Sequence, residues 1–272
     1  MYPRPVPMTF DEFKRLPRRV GWKHEYIGGN AYFQPRHSIA IVRTETVPRP
    51  VSIPDGFTIR PATPDDAARL IPAFFDAFRH SVDYWGYNRL KIRDSARDSI
   101  QTCFAGRRGD FHPASYLAVA PTGRSVAGAA LIVRGGEAPN LDLLFVRPRW
   151  QRLGLATALV QTAVNDLHGR GETPLDSGHV VANRESAAWH SRFGFTELPD
   201  LGRAKEQYHD VKNELQRREL IGDVCEAEWQ AMEAEAARWL VQIKELEAVA
   251  ARDGYDAVFP LRRLHRAQEQ AS

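Results

Sequence analysis

Six consecutive residues, Gln151-Arg152-Leu153-Gly154-Leu155-Ala156, stand between an apolar run and a helical pattern. The run before them, Leu141-Asp142-Leu143-Leu144-Phe145-Val146, predicts a buried strand. Pro148 ends it, because proline cannot donate to a sheet ladder. After the six, Leu155, Leu159, Ala163 and Leu167 recur at helical spacing. A strand, a tight loop with a glycine, and a helix start together aim backbone N–H groups at one point. The first N–H groups of a helix lack an intrahelical partner, and the helix dipole is positive there. The chemistry of this loop is therefore anion binding, with a phosphate-bearing cofactor as its natural guest. Gly154 lets the backbone approach such a guest without a side chain in the way. Arg152 and Gln151 bring side-chain donors. No Gly-Lys-Ser/Thr completes the loop, which excludes a P-loop nucleotide site, and no Gly-x-Gly-x-x-Gly supports a dinucleotide fold. Asp142 is the other chemical feature here. It is an ionisable group among apolar neighbours, either a titrating group with a displaced pKa or a polar cap at the strand start beside Asn140.

The elements that must position these residues fall into zones. Residues 56–203 alternate strand and helix: a strand at Phe57–Arg60, a helix opened by Thr63-Pro64-Asp65-Asp66, another over 92–105, and strands at Tyr116–Ala120 and Val126–Val133. The strand, loop and helix described above follow. A strand at Asp176–Ala182, a helix at Glu185–Phe193 and a short strand at Phe195–Leu198 close the zone. This order predicts an α/β (α+β) fold, a mixed central sheet flanked by helices. Residues 1–48 form an N-terminal extension. Thr9 to Glu12 has the form of a capping box. Glu25-Tyr26-Ile27, Gly28-Gly29-Asn30 and Ala31-Tyr32-Phe33 predict a β-hairpin, and Ser38–Val42 one more strand. Pro48, Pro50 and Pro54, within seven residues, mark a stiff linker over 49–55. Residues 204–272 are helical. Cys225, Trp229, Met232, Ala236, Trp239, Ile243, Leu246 and Ala250 make a heptad seam. Tyr208, Val211 and Leu215 match it on an earlier helix, so the expectation is a helical hairpin of coiled-coil type packed within the chain. Tyr255–Leu261 reads equally as strand or loop.

The 272 residues are 43% hydrophobic and 26% charged, with a net charge of +3, the balance of a globular chain. That charge is too small to argue for nucleic acid. No apolar run approaches the roughly 18 residues of a membrane span. Met1-Tyr2-Pro3-Arg4-Pro5 lacks the apolar core of a secretory signal, so the cytoplasm is the expected compartment. Cys103 and Cys225 match no metal or redox spacing and read as small buried hydrophobes. No metal is expected.

The middle zone resembles the GNAT superfamily of acetyl-CoA-dependent N-acetyltransferases over about 56–200. Val146-Arg147-Pro148-Arg149-Trp150 followed by QRLGLA is similar to the family's strand and pyrophosphate loop. Asn183-x-x-Ser186-x-x-Trp189-His190-x-x-Phe193-Gly194-Phe195 is similar to its second cofactor motif. The resemblance implies an N-acetyltransferase that moves an acetyl group from acetyl-CoA to a primary amine. It implies that Gln151, Arg152, Leu153, Gly154, Leu155 and Ala156 hold the pyrophosphate. It further implies that the main chain of Phe145 and Val146 pairs with the pantetheine amides, and that Asn183 bonds the pantetheine arm. The family's usual general acid is a tyrosine at the position of His190. Histidine there still donates a proton near neutral pH; holding the cofactor or packing are its other readings, and Tyr208 is an alternative acid. Asp142 stands where many relatives carry a glutamate base, with deprotonation through water as a further route. The acceptor side is the segment around Tyr84 and Trp85, where aromatic faces attract a cation. The opening residues, Thr9-Phe10-Asp11-Glu12-Phe13 and His24-Glu25-Tyr26-Ile27-Gly28-Gly29, resemble the start of the Uma restriction-endonuclease-like family. The later carboxylates of that family's metal site do not follow, so this zone reads as a structural remnant. An amine, small or peptidic, is the expected partner, with a homodimer open. Two other classes stand beside the enzyme: a non-catalytic acyl-CoA-binding module, and an interaction protein that uses the C-terminal helical hairpin.

Overall fold

The computed structural model describes residues 5–260 except 124 and 224. The expectations for Met1–Arg4 and for 261–272 lie outside the described residues. In chain order the elements are β1 (Val6–Pro7), α1 (Phe10–Arg15), β2 (Trp22–Ile27), β3 (Asn30–Pro35), β4 (Ile39–Thr44), β5 (Thr58–Pro61), α2 (Ala67–Phe78), α3 (Arg89–Phe104), β6 (Asp110–Phe111), β7 (Tyr116–Val119), β8 (Val126–Arg134), β9 (Asn140–Val146), α4 (Leu155–Gly169), β10 (Leu175–Val180), α5 (Arg184–Phe193), β11 (Thr196–Glu197), α6 (Leu201–Ile221) and α7 (Glu226–Asp253). Short 3-10 turns at Pro64–Asp66, Val82–Tyr84, Pro148–Trp150 and Tyr255–Val258 join or end them. The last of these settles the Tyr255 segment as a helical turn. The chain divides into two compact units, one of Ile41–His179 and Glu185–Glu197, the other of the residues up to Ala40, Val180–Arg184 and those from Leu198 on.

The first unit is a mixed α/β layer, as its alternating apolar runs predict. An eight-stranded sheet runs β11-β4-β10-β9-β8-β7-β5, with β6 beside β8. β8 is buried along nearly its whole length, because both faces of the sheet are covered. On one face α4 packs through Leu155, Leu159, Ala163 and Leu167 against Ala130, Ile132 and Val146. On the other, α2 and α3 cover Leu131, Leu143 and Phe145 with Leu70, Phe74, Ile92 and Ile100. Proline at the start of the 3-10 turn and the reciprocal Thr63–Asp66 bonds set the entry to α2.

Strand β4 departs from the expected boundaries. The sequence sets 1–48 apart as an extension, yet Ile39–Thr44 lies inside the large sheet, between β10 and β11. It pairs antiparallel with β11 through Arg43 opposite Thr196 and Val42 opposite Glu197. Its Arg43 forks onto Asp176 of β10 at 2.6 and 2.9 Å. The physical reason is burial on both faces. Ala40, Ile41 and Val42 are all buried, and three adjacent apolar residues suit a central strand rather than a half-exposed hairpin.

In the second unit, β1, β3 and β2 form a three-stranded antiparallel sheet. The capping box at Thr9 and Glu12 is present, and α1 sets Phe10 and Phe13 against Tyr26. Helices α6 and α7 make the expected hairpin, packed through Leu201, Ala204, Ile243, Leu246 and Ala250. Of the seam, Ala236, Ile243, Leu246 and Ala250 are buried, whereas Trp229, Met232 and Trp239 are half-buried. Cys103 is buried, but Cys225 is exposed, contrary to expectation, because it caps α7 at the hairpin turn. None of the described helices is long and apolar enough to cross a membrane.

Candidate active site

β9 and β10 run parallel but pair only at Asn140–Asp176 and Leu141–Ser177. Beyond those two steps the two strands no longer pair with each other, β9 running on to Val146 along β8 and β10 to Val180. The fork has a local cause. Against β8, Leu131 faces Leu143 while the next residue, Ile132, faces Leu141. Asp142 is therefore an extra residue, a β-bulge, and a bulge bends its strand and re-aims a side chain. The strand parts from its neighbour at this position.

The bulge also decides which backbone groups face the opening. Arg147 N–H donates to Ala127 O at 2.8 Å, and Phe145 pairs with Ala129. Alternation along an antiparallel ladder turns Phe145 toward β8 and turns Leu144 and Val146 to the open edge. The register thus turns the Phe145 main chain, expected to pair with the pantetheine amides, toward β8 and away from the open edge. Its carbonyl abuts Gly128, where an added Cβ would sit 2.5 Å from it, and its ring packs on Phe74 and Phe78. Leu144, read from the sequence only as part of the buried strand, takes the edge position. Only the register, set by the bulge, distinguishes the two.

The loop leaves the end of β9 through the 3-10 turn, where Arg147 pairs with Asp76 at 3.3 Å and Arg149 lies over Trp150 at 3.8 Å. Gln151 donates its side-chain amide to Val146 O at 3.0 Å, which fastens the loop to the open edge. Arg152 has φ +62°, the one positive value outside glycine among the described residues, and Gly154 has φ +87° at the cap of α4. A side-chain residue held in the left-handed region marks a segment over-determined by its surroundings, typically at a functional site. Two left-handed residues in a short loop turn successive N–H groups to one side, a concave anion cradle. Residues 151–154 are exposed, whereas Leu155 is buried and anchors α4. A Cβ on Gly154 would meet no protein atom within 4 Å. Its requirement is the backbone angle and free space, which fits a phosphate guest.

His190 and Asp142 lie on either side of the fork's base. His190, on α5, is 4% exposed. Its Nδ1 lies 2.9 Å from Ser186 O and its Nε2 3.1 Å from Ser177 Oγ. A carbonyl only accepts, so Nδ1 carries the proton and Nε2 accepts from the serine. Ser177 Oγ also lies 3.3 Å from Leu141 O; its single proton serves either the ring nitrogen or this carbonyl, so the serine stands between the histidine and the last paired step of the fork. Burial pushes His190 down to about 4, the Ser186 carbonyl opposing this and nearby His179 adding to it. The ring is neutral and fully bonded, a geometry that suits positioning rather than proton donation.

Asp142 points toward α3. Arg108 Nη2 is 3.1 Å from its Oδ2, and Cys103 lies beside it. Burial raises the Asp142 pKa, and the Arg108 charge and the Cys103 contact act against this rise. Burial pushes the Cys103 thiol up to about 12, so it stays protonated. The sequence reading did not single out Arg108, for it sits in an ordinary Gly106-Arg107-Arg108-Gly109 turn with no motif around it.

Of the acceptor candidates, Tyr84 is half-buried, edge-on to Phe74, Phe78 and Tyr87 and bonded to the Ser99 side chain. Trp85 is 46% exposed. Asn183 directly precedes α5, its N–H donating to Val180 O at 2.8 Å. Tyr208 belongs to the α6–α7 packing. Among the described residues no cluster of three or more His, Cys, Asp or Glu is placed to hold a metal.

A comparison with curated proteins returned no match. Among solved structures, the chain is similar to a GCN5-related N-acetyltransferase from Sphaerobacter thermophilus, at 21% identity and TM-score 0.42, over 59% of this chain and 48% of that one, about half its length. It is similar to PaiA N-acetyltransferase from Thermoplasma acidophilum in complex with coenzyme A, at 15% identity and TM-score 0.42, over 52% of this chain and 89% of that one. It is also similar to the ribosomal-protein-S18-alanine N-acetyltransferase from Escherichia coli, at 20% identity and TM-score 0.39, over 52% and 79%. Residues 97–210, which hold β9, the loop and α5, match the model of the acetyltransferase (GNAT) domain family.

Proposed function

We propose that this protein moves an acetyl group from acetyl-CoA directly to an amine. The observation that carries the reading is the coincidence of a strand fork with a loop whose Arg152 and Gly154 are both left-handed, at the start of a buried helix. The N–H groups of the loop and the first turn of α4 hold the pyrophosphate, with Arg152 as the added charge. The open-edge backbone of Leu144 and Val146 pairs with the amides of the pantetheine arm as a further strand would. Acetyl-CoA supplies the activated thioester. Asp142 receives the amine proton through water, its basicity set by burial on one side and Arg108 on the other. His190 is a positioning residue that meets the fork at Ser177. The role of Asn183 rests on the motif resemblance alone.

Calorimetry with acetyl-CoA, followed by thiol release over panels of peptide, polyamine, aminoglycoside and amino-acid amines, tests this. Micromolar binding and release with at least one amine class is the expected result. Absence of acetyl-CoA binding would sink the reading. A second reading, an acyl-CoA-binding module without turnover, is favoured by the closed bonding of His190, which leaves the matched motif without a side-chain donor for the leaving thiolate. Binding without thiol release across every panel would establish it.

A further inference from the structure

Acetyl transfer moves a proton at two atoms, the attacking nitrogen and the departing sulfur. Asp142 serves the first. His190 keeps its own proton, which it donates to Ser186 O inside a buried site. The rings of Trp189, Phe195 and His179 pack on His190, their centroids 4.9, 5.1 and 5.2 Å away. Phe195 has no proton to give, and Trp189 donates its N–H to Thr157 Oγ1 at 3.3 Å. His179 differs from both. It is half-buried, and it stands on β10 two residues past Ser177, the last to pair with β9. Side chains two apart on a strand share a face. His179 and Ser177 therefore both turn to α5, and both touch His190. Gly178 between them puts no side chain on the opposite face.

The register sets this ring at the reacting end of the cofactor. The pantetheine arm leaves the pyrophosphate loop and runs back along Val146 and then Leu144, so its sulfur lies toward Asp142 and the base of the fork. β10 pairs with β9 as 176 with 140 and 177 with 141, an offset of 36. Carried on, that offset brings His179 level with Leu143, beside the arriving sulfur. We propose that His179 is the proton donor to the departing sulfur of CoA, an inference that rests on the transferase reading and completes it. The amine nitrogen attacks the thioester carbonyl carbon and the C–N bond forms. The C–S bond breaks with its electron pair on sulfur, and the protonated imidazole of His179 gives that sulfur its N–H proton. Imidazole is the side chain most often used for such a transfer. For a neutral amine, the proton passed to Asp142 equals the one given to sulfur, and solvent reaching the half-buried ring restores it. The stack on His190, its plane 31° away, fixes the ring's orientation. Because His190 is neutral, the stack sets no second charge beside the imidazolium.

The test is thiol release at saturating acetyl-CoA, with an amine that the parent protein acetylates, for the full chain and its variants His179→Gln and His179→Ala. Calorimetry with acetyl-CoA on each variant reports binding separately. Turnover is expected to fall about 100-fold in both variants while the acetyl-CoA Kd stays within about threefold. Added imidazole should raise the turnover of His179→Ala about tenfold above the rate without protein, as a replacement proton donor. Thiazole, a ring of the same shape with no N–H, should not. Turnover equal to the parent's, a fall matched by lost acetyl-CoA affinity, or a response to imidazole no greater than to thiazole makes His179 a packing residue and overturns the proposal. If the parent turns over and these outcomes appear, the transferase reading stands and this assignment alone falls. If the parent binds acetyl-CoA and releases thiol with no amine, both fall.

Discussion

His190 meets two demands that the sequence cannot separate. Its motif position invites a proton donor, and its surroundings make it a neutral brace. The pH dependence distinguishes the two. A histidine whose folded pKa lies near 4 leaves stability untouched above its unfolded pKa of about 6.5 and lowers it as pH falls from there toward 4, because only the unfolded chain gains the proton. The loss is about 2 kcal/mol at pH 5. His190→Gln, which keeps an amide in place, should shrink the difference in Tm between pH 7 and pH 5. His24, also held near 4 by burial and then by Arg18, Arg19 and Arg36, keeps a remaining slope in the variant. An unchanged slope would contradict the buried, neutral state. For Asp142 the informative partner is Arg108. Arg108→Met removes the charge that opposes burial, so the acid limb of the kcat/KM profile should move to higher pH while acetyl-CoA affinity, read by calorimetry, holds. The six loop residues and Asp142 stand out in the sequence as candidates because spacing and composition mark them. Arg108 and Leu144 were not, since one has no local signal and the other depends on a register that the bulge shifts.

The loop, strand and helix around the fork behave as one element. Gly154→Val places a β-branched residue at φ +87°, a conformation such side chains rarely adopt. The expected cost is about 1–2 kcal/mol in stability, with acetyl-CoA affinity falling further than stability alone accounts for. Denaturant unfolding beside calorimetry separates the two, and equal affinity in the variant would remove the loop from cofactor binding. At this scale the sequence is informative wherever a period persists, as in α4 and the α6–α7 seam. It fails at β4, whose three apolar residues fit an edge hairpin as well as a central strand until the neighbours on both sides are known. Short strands such as β6 and β11 have two residues each, too few for any period to appear.

For the whole molecule, the unit containing the N-terminal sheet is tied together by ionic links to α6. Arg36 bonds Glu206 at 2.8 Å and lies 3.2 Å from Asp210, while Arg217 donates to Lys14 O at 3.1 Å. A three-stranded sheet with little core of its own is marginal alone. Removing α6 and α7 should therefore strip hydrogen-exchange protection from 22–35, and retained protection there would show that the sheet needs no helical support. Glu206→Gln weakens the same links with smaller loss, of order 1–3 kcal/mol.

Strand β4 has a consequence for the order in which the molecule forms. During synthesis it emerges before every other strand of the large sheet, yet its neighbours β10 and β11 come more than a hundred residues later, as the Arg43–Asp176 pair spans a separation of 133. Contacts so far apart in sequence are slow to close. Until they do, Ala40, Ile41 and Val42 form an unpaired apolar strand on a nascent chain, a template for wrong pairing. The end of this sheet that holds β4 and β11 is completed last, and the step that completes it is the one a chaperone would need to guard.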